Sequence, residues 1–272
     1  MIDGVVDQIK FTFLFLITFL LPLPSHALEL FVKVHILSHS SFDQVEITGV
    51  VAKIKILEKG GLYRETLLPP NVPLQLKSSK KWIELVLRTD LKKVKEVMIE
   101  VPQGRKSFIT LQFPNALQKK IYGKLTVRSL KGNLFFIEEL PLEDYVEGVL
   151  ESKIPKTFPL EALKAQAIVI RSLAFSSFKK HAKEGFDFCD QTHCQFYEGK
   201  KLNTSSFEKA VQATKGLVLS YPSESIESAY YTMCGGQSLG TCEWGAKKMA
   251  EEGKKFDEIL IHYFPGAQLI QR

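Results

Sequence analysis

The chain has 272 residues, 45% of them hydrophobic and 24% charged, with a formal net charge of +6. That balance excludes a disordered or low-complexity polymer and leaves apolar material for one large or two modest domains. The basic residues stand singly or in pairs such as Lys80-Lys81 and Lys119-Lys120, with no Arg-rich arm. The mild positive excess therefore suits an anionic polymer or a solvated surface, and no nucleic-acid partner is expected.

The first element is an uncharged apolar run, "FTFLFLITFLL" at 11–21, preceded by Lys10 and followed by "PLPSHA". Ser25 and Ala27 occupy the small-residue positions of a signal-peptidase site. The run is short for a bilayer span. Residues 1–27 are expected to be a signal peptide, with a mature protein beginning at Leu28 and exported to the periplasm or cell envelope. The competing reading is a buried N-terminal helix.

Residues 28–120 read as a β-rich region. "LELFVKVHIL", "VEITGVVAKIKIL", "WIELVLRT", "KEVMIEV" and "SFITLQF" are β-branched or aromatic runs, several of them alternating, separated by Gly, Pro, Asn and Ser. The strand pattern continues through "GKLTVRSL" and "NLFFIEEL" to about residue 135. From 121 to 272 the chain reads as a second, mixed domain, so the fold class is α+β.

Residues 142–153 fit a helix that Pro155 stops, and Pro159 opens a longer one through about Lys180. A short helix follows Ser205 and ends at Gly216. "LVLSY" and "ESAYYTM" read as strands, and "WGAKKMAEE" and "FDEILIHYF" as the last two helices. On the first helix Leu142, Val146, Val149 and Leu150 form one apolar stripe, and Lys153 lies on it. Glu147 and Glu151 stack at i, i+4 on the other side, which predicts solvent-facing carboxylates. Lys153 is the odd residue, because burying an ammonium depresses its pKa or makes the side chain snorkel.

The segment "LPLEDYVEGVLESKIPKTFPLEALKAQAIVIRSLAF" resembles the hallmark of the stage II sporulation protein D / amidase enhancer LytB (SpoIID/LytB) family. Tyr145, Val146, Gly148, Pro155, Glu161 to Ala167 and Arg171 match its pattern. "DFCDQTHCQFYEG", "AVQATKGLVLS", "AYYTMCGG" and "EILIHYFPGAQL" look like further family segments, in order. The resemblance implies a protein that acts on peptidoglycan glycan strands in the manner of a lytic transglycosylase. In that reaction one carboxyl protonates the leaving oxygen and then takes the proton of the sugar's own 6-hydroxyl, which closes a 1,6-anhydro ring. The family's acid–base glutamate falls on Lys153, and a lysine does not replace it in both steps. Glu151 lies about 200° around the helix and does not take over. The alternative is a non-catalytic glycan binder that stimulates or recruits a cell-wall amidase.

Gln166 and Arg171 interrupt an otherwise apolar helix. Either they brace the core through hydrogen bonds, or they line a groove and bind glycan. Cys189, His193 and Cys194 in "CDQTHC" suit a zinc ion, with His181 a conceivable fourth ligand. The spacing is not the diagnostic C-x2-C, and a local Cys189–Cys194 disulfide is the rival in an oxidising compartment. The resemblance adds that family members can hold a metal at this loop. Cys234 and Cys242 bracket a glycine-rich loop and read as a disulfide. His262 reads as a packed helix residue. No phosphate-binding Gly loop, nucleophile elbow or H-E-x-x-H motif occurs.

Overall fold

The computed structural model describes residues 29–102, 107–201, 205–221, 226, 230 and 241–272. The apolar run at 11–21, its cleavage site and Cys234 lie outside the described residues, and for Cys242 only the backbone is described, so the expected Cys234–Cys242 pairing does too.

The β-rich part folds as two sheets sharing one core, antiparallel throughout except where the short β13 joins β1. The first contains β1 (Phe31–Ile36), β3 (Ala52–Leu57), β4 (Tyr63–Leu68), β8 (Glu96–Glu100), β11 (Lys124–Leu130), β12 (Asn133–Pro141) and the short β13 (Phe188–Cys189), in the order β13-β1-β12-β11-β8-β3-β4. The second contains β2 (Gln44–Gly49), β5 (Leu74–Ser79), β6 (Trp82–Leu87), β7 (Asp90–Val94), β9 (Ile109–Gln112) and β10 (Gln118–Ile121), in the order β10-β9-β2-β5-β6-β7. Strict alternation decides which face is inside. In β1, Val32, Val34 and Ile36 are buried while Phe31 and Lys33 are exposed; in β5, Leu74 and Leu76 are buried while Gln75 and Lys77 are exposed.

"VEITGVVAKIKIL" is not one strand. It breaks at Gly49, where φ is +150° and a Cβ would stand 2.6 Å from the Phe108 carbonyl oxygen. β2 and β3 then fall in different sheets. The seven-stranded sheet also takes strands from both sides of residue 120, with β11 and β12 between β1 and β8, and one hydrophobic cluster runs from Val32 to Phe264. Residue 120 is therefore not a seam in the packing.

β12 leads directly into α1 (Leu142–Lys153), which ends where Ile154 turns extended before Pro155. Pro159 caps α2 (Leu160–Ser176), somewhat shorter than the sequence pattern suggests. This helix is the hub of the second half: α1, α3 (Ser205–Ala213), α4 (Thr241–Glu251), α5 (Phe256–Tyr263) and β14 (Leu217–Ser220) all pack on it. β14 pairs with β15 (Gln268–Gln271). Tyr230, in the segment expected to be the strand "ESAYYTM", is helical. Among the described residues no helix is long and apolar enough to cross a membrane.

Candidate functional site

The two faces of α1 meet different surroundings. Its stripe of Leu142, Tyr145, Val146, Val149 and Leu150 is buried, and Lys153 stands half-buried at the end of that stripe. A cation in the last turn also complements the helix dipole. Burial lowers the Lys153 pKa, and the carboxylate of Glu243 opposes the shift by favouring the ammonium.

Glu243 comes from the first turn of α4 and is only 3% exposed. The Tyr230 hydroxyl donates to its Oε1 at 3.5 Å. Burial, with a contribution from Glu243, raises the pKa of Tyr263 on α5. At Gly245, two residues further along α4, an added Cβ would overlap the Tyr263 hydroxyl, so α4 and α5 approach this closely only with glycine there. Beside them Trp244 is 53% exposed, its ring 5.2 Å from that of Phe158. The buried Glu243 carboxylate thus acts on the half-buried Lys153 ammonium, and the half-open Trp244 indole follows Glu243 in α4.

The opposite face corrects the expectation of solvent-facing glutamates. Glu147 is 5% exposed and pairs with Lys200 Nζ at 3.1 Å, while Lys200 also holds Asp144 at 2.6 Å. The Lys201 backbone N–H donates to Glu151 Oε2 at 2.7 Å. Glu151 Oε1 is buried with no hydrogen-bond partner among the described residues. Burial raises the Glu151 pKa to about 7; the Lys201 N–H opposes the shift and Glu147 adds to it. The segment around 197–201 covers this face, and a helical projection of α1 alone does not show that. Gly148 admits it, since a Cβ there would stand 2.5 Å from Tyr197 Cε2.

Arg171 is fully buried. Its Nε donates to Glu143 Oε1 (2.9 Å), its Nη2 to Glu143 Oε2 (2.6 Å) and its Nη1 to the Leu217 carbonyl (3.0 Å). The guanidinium therefore joins α1, α2 and β14 and faces no groove, which is the bracing alternative of the two expected. Gln166 is buried beside a small recess lined by Val169, Tyr230, Ile259 and Tyr263, close to the place where Glu243 lies. His262 is exposed on α5, edge-on to Tyr263 at 4.8 Å.

His181, Cys189, His193 and Cys194 converge, with one ligand atom of each within 4.8 Å of all the others. Cys189 Sγ lies 3.2 Å from His193 Nδ1, Cys194 Sγ 3.4 Å from His181 Nε2, and the two Nε2 atoms are 3.1 Å apart. The two cysteines are free thiols, not a disulfide. Tetrahedral zinc bonds of about 2.0–2.3 Å imply ligand–ligand separations of roughly 3.3–3.8 Å. The donor set suits such an ion in kind, while through His193 Nε2 its separations include 3.1 Å to His181 Nε2, 3.7 Å to Cys194 Sγ and 4.0 Å to Cys189 Sγ. The loop is held from outside. β13 adds to β1 in parallel, Asp190 accepts the Leu37 N–H at 2.6 Å together with the Ser38 hydroxyl, and Glu184 Oε1 contacts His181 Nδ1 at 2.8 Å. A carboxylate on the distal nitrogen is the usual orienting device for a metal-binding histidine.

Two acidic residues escape the sequence pattern. Glu243 sits in "CEWG", where the cysteines dominate the reading. Glu138, on β12, is 2% exposed and accepts from the Tyr197 hydroxyl at 3.2 Å, with a pKa raised by burial.

The sequence model of the SpoIID family, described as stage II sporulation protein, matches residues 131–221. Stage II sporulation protein D of Bacillus subtilis is 35% identical over 115 residues, covering 37% of this chain and 34% of the relative. The amidase enhancer of the same organism is 38% identical over 98 residues, covering 36% of this chain and 13% of the relative. An uncharacterised protein of Brachyspira hyodysenteriae is 36% identical over 118 residues, 43% of this chain and 32% of its own. The matches thus span about a third or less of these three relatives, and the residues that fit the family model contain α1, α2 and the Cys/His quartet. That segment resembles the SpoIID/LytB family.

Proposed function

We propose that this protein is exported to the cell envelope and engages the glycan strands of peptidoglycan where Lys153 of α1 meets Glu243 of α4. The observation that carries the reading is the burial and charge environment of Lys153 at the position where the family pattern has its acid–base glutamate. The match to the SpoIID family model, the apolar run at 11–21 and the exposed Trp244 next to Glu243 in α4 support it. The Lys153 ammonium is intrinsically a weaker acid than a carboxyl, so it protonates the leaving oxygen poorly; wild-type cleavage is therefore slow and binding dominates.

The same proposal assigns one zinc ion to His181, Cys189, His193 and Cys194. Four protein ligands leave no open position, so its role there is structural, tying the loop after α2 to β13. A second reading is favoured by the relative named amidase enhancer: the strand is bound without being cut, and a cell-wall amidase is stimulated. Incubation with purified glycan strands, read by mass spectrometry for anhydro-muropeptides, separates the two. Release of soluble product supports cleavage, and retention on intact sacculi without release supports the binder.

A further inference from the structure

The outer face of the six-stranded sheet carries one side chain from each strand in a single row. The register sets Gln118 opposite Gln112, Gln112 opposite Glu46, Glu46 opposite Gln75, Gln75 opposite Val86 and Val86 opposite Leu91. Their strand neighbours Val45, Leu74, Leu76, Leu85 and Leu111 point inward and are buried, so the row faces solvent. Five strand spacings make it about 24 Å long. The amides align one another: Gln118 Nε2 donates to Gln112 Oε1 at 3.2 Å, and Gln75 Nε2 to Glu46 Oε2 at 3.3 Å. An open trough of about 560 Å³ lies over Glu46, Gln75, Gln112, Val86 and Leu91.

We propose that this row is a second binding site, for a neutral linear oligosaccharide bearing hydroxyl and acetamide groups. Each glutamine amide offers both donor and acceptor capacity, which is what hydroxyls and acetamides need. Val86 and the 62% exposed Leu91 give one end an apolar floor for the C–H face of a sugar ring. The flanking row balances its own charge. Lys77 lies opposite Glu84, Glu84 lies opposite Lys93, and Lys93 Nζ is 3.2 Å from Glu84 Oε1. The trough itself is lined by the carboxylates of Glu46 and Glu84 and the ammonium of Lys77, so it offers no net attraction to a polyanion. The row lies on the face of the sheet and not along the open edges of β10 and β7, so it does not present main-chain groups for pairing with a peptide strand. It also lacks the apolar centre that a stable interface with a second copy requires. The choice of a glycan rests on the proposed function; the site lies outside residues 131–221.

The test is calorimetric titration of the full chain with chitotetraose, a neutral tetramer of N-acetylglucosamine. Gln75→Ala combined with Gln112→Ala removes two amides from exposed positions and should weaken binding about tenfold with unchanged thermal stability. Leu91→Ser should weaken it as well, and Lys55→Ala, on β3 of the other sheet, should leave it unchanged. Absence of binding, or equal affinity in the glutamine variant, would overturn the inference. So would a concentration-dependent dimer that Leu91→Ser abolishes. Sacculus co-sedimentation keeps the two proposals apart. If sacculi are retained equally by wild type and the glutamine variant while chitotetraose is not bound, this site fails and the proposed function stands. Chitotetraose binding at the row without retention on sacculi gives the reverse.

Discussion

Glu143 and Arg171 form a forked ion pair, Nε to Oε1 at 2.9 Å and Nη2 to Oε2 at 2.6 Å, that fastens α1 to α2. Arg171 has no exposed surface and Glu143 has little, so the pair is weakly screened by solvent. Removing one partner leaves an uncompensated buried charge. Arg171→Ala should therefore cost about 3–5 kcal/mol of unfolding free energy in a denaturant titration. A loss within error of zero would show that the guanidinium does not brace the fold.

A Cβ at Gly148 would stand 2.5 Å from the Tyr197 ring, so Gly148→Ala must push that ring, and with it the 197–201 segment, away. Overpacking of this kind costs about 1–3 kcal/mol, against the small gain alanine brings to an exposed helix. Unchanged or increased stability would mean that the close approach of Tyr197 is not needed.

Glu151 gives a pH signature. Its carboxyl titrates near 4.5 in the unfolded chain and near 7 in the folded one, because burial outweighs the Lys201 N–H. The folded state holds the proton more tightly, so this stabilising contribution is full below pH 4.5 and is lost as pH rises through 7. Glu147, Lys200, Lys201 and Tyr122 are the titratable groups that couple to it. Melting temperatures across that window should fall more steeply for wild type than for Glu151→Gln. Parallel profiles would place the titration elsewhere.

The quartet of His181, Cys189, His193 and Cys194 leads to an expectation for metal content. Purified protein should carry about one zinc per chain, and chelation should lower the melting temperature by roughly 5 °C or more. Metal-free protein that melts at the same temperature, or that has two freely labelled thiols as isolated, would count against a bound ion.

What was legible in the sequence follows the strength of local patterns. β1, β6 and β12 alternate, α1 is stopped by a proline, and α2 is opened by one, so their types could be read directly. β4, "YRETLL", and β7, "DLKKV", are edge strands with mostly exposed side chains; no apolar alternation marks them. The charged β10, "QKKI", is hidden for the same reason. Lys153 stood out because it breaks a stripe. Glu243 did not, since its relation to Lys153 depends on how α4 packs on α2. Glu147 was misplaced because the segment that covers it comes from some fifty residues downstream, beyond what one helix's periodicity can show. His181 and Cys194 meet only after the chain turns back beyond α2, so C-x4-C spacing alone understated the cluster.

The central claim is that α1 has a lysine where a lytic reaction needs a carboxyl. Lys153→Glu tests it most directly. The new carboxyl would share partly buried surroundings with Glu243, and two nearby carboxylates raise one another's pKa, which favours a proton donor near neutrality. Wild type and variant, matched for folding by thermal melting, are incubated with purified glycan strands and the anhydro-muropeptides quantified by mass spectrometry. The account predicts binding with little release from wild type and a gain of about 10²–10⁴-fold in the variant. Wild-type release that Lys153→Ala leaves unchanged would contradict it, because the acid–base group would then be another residue.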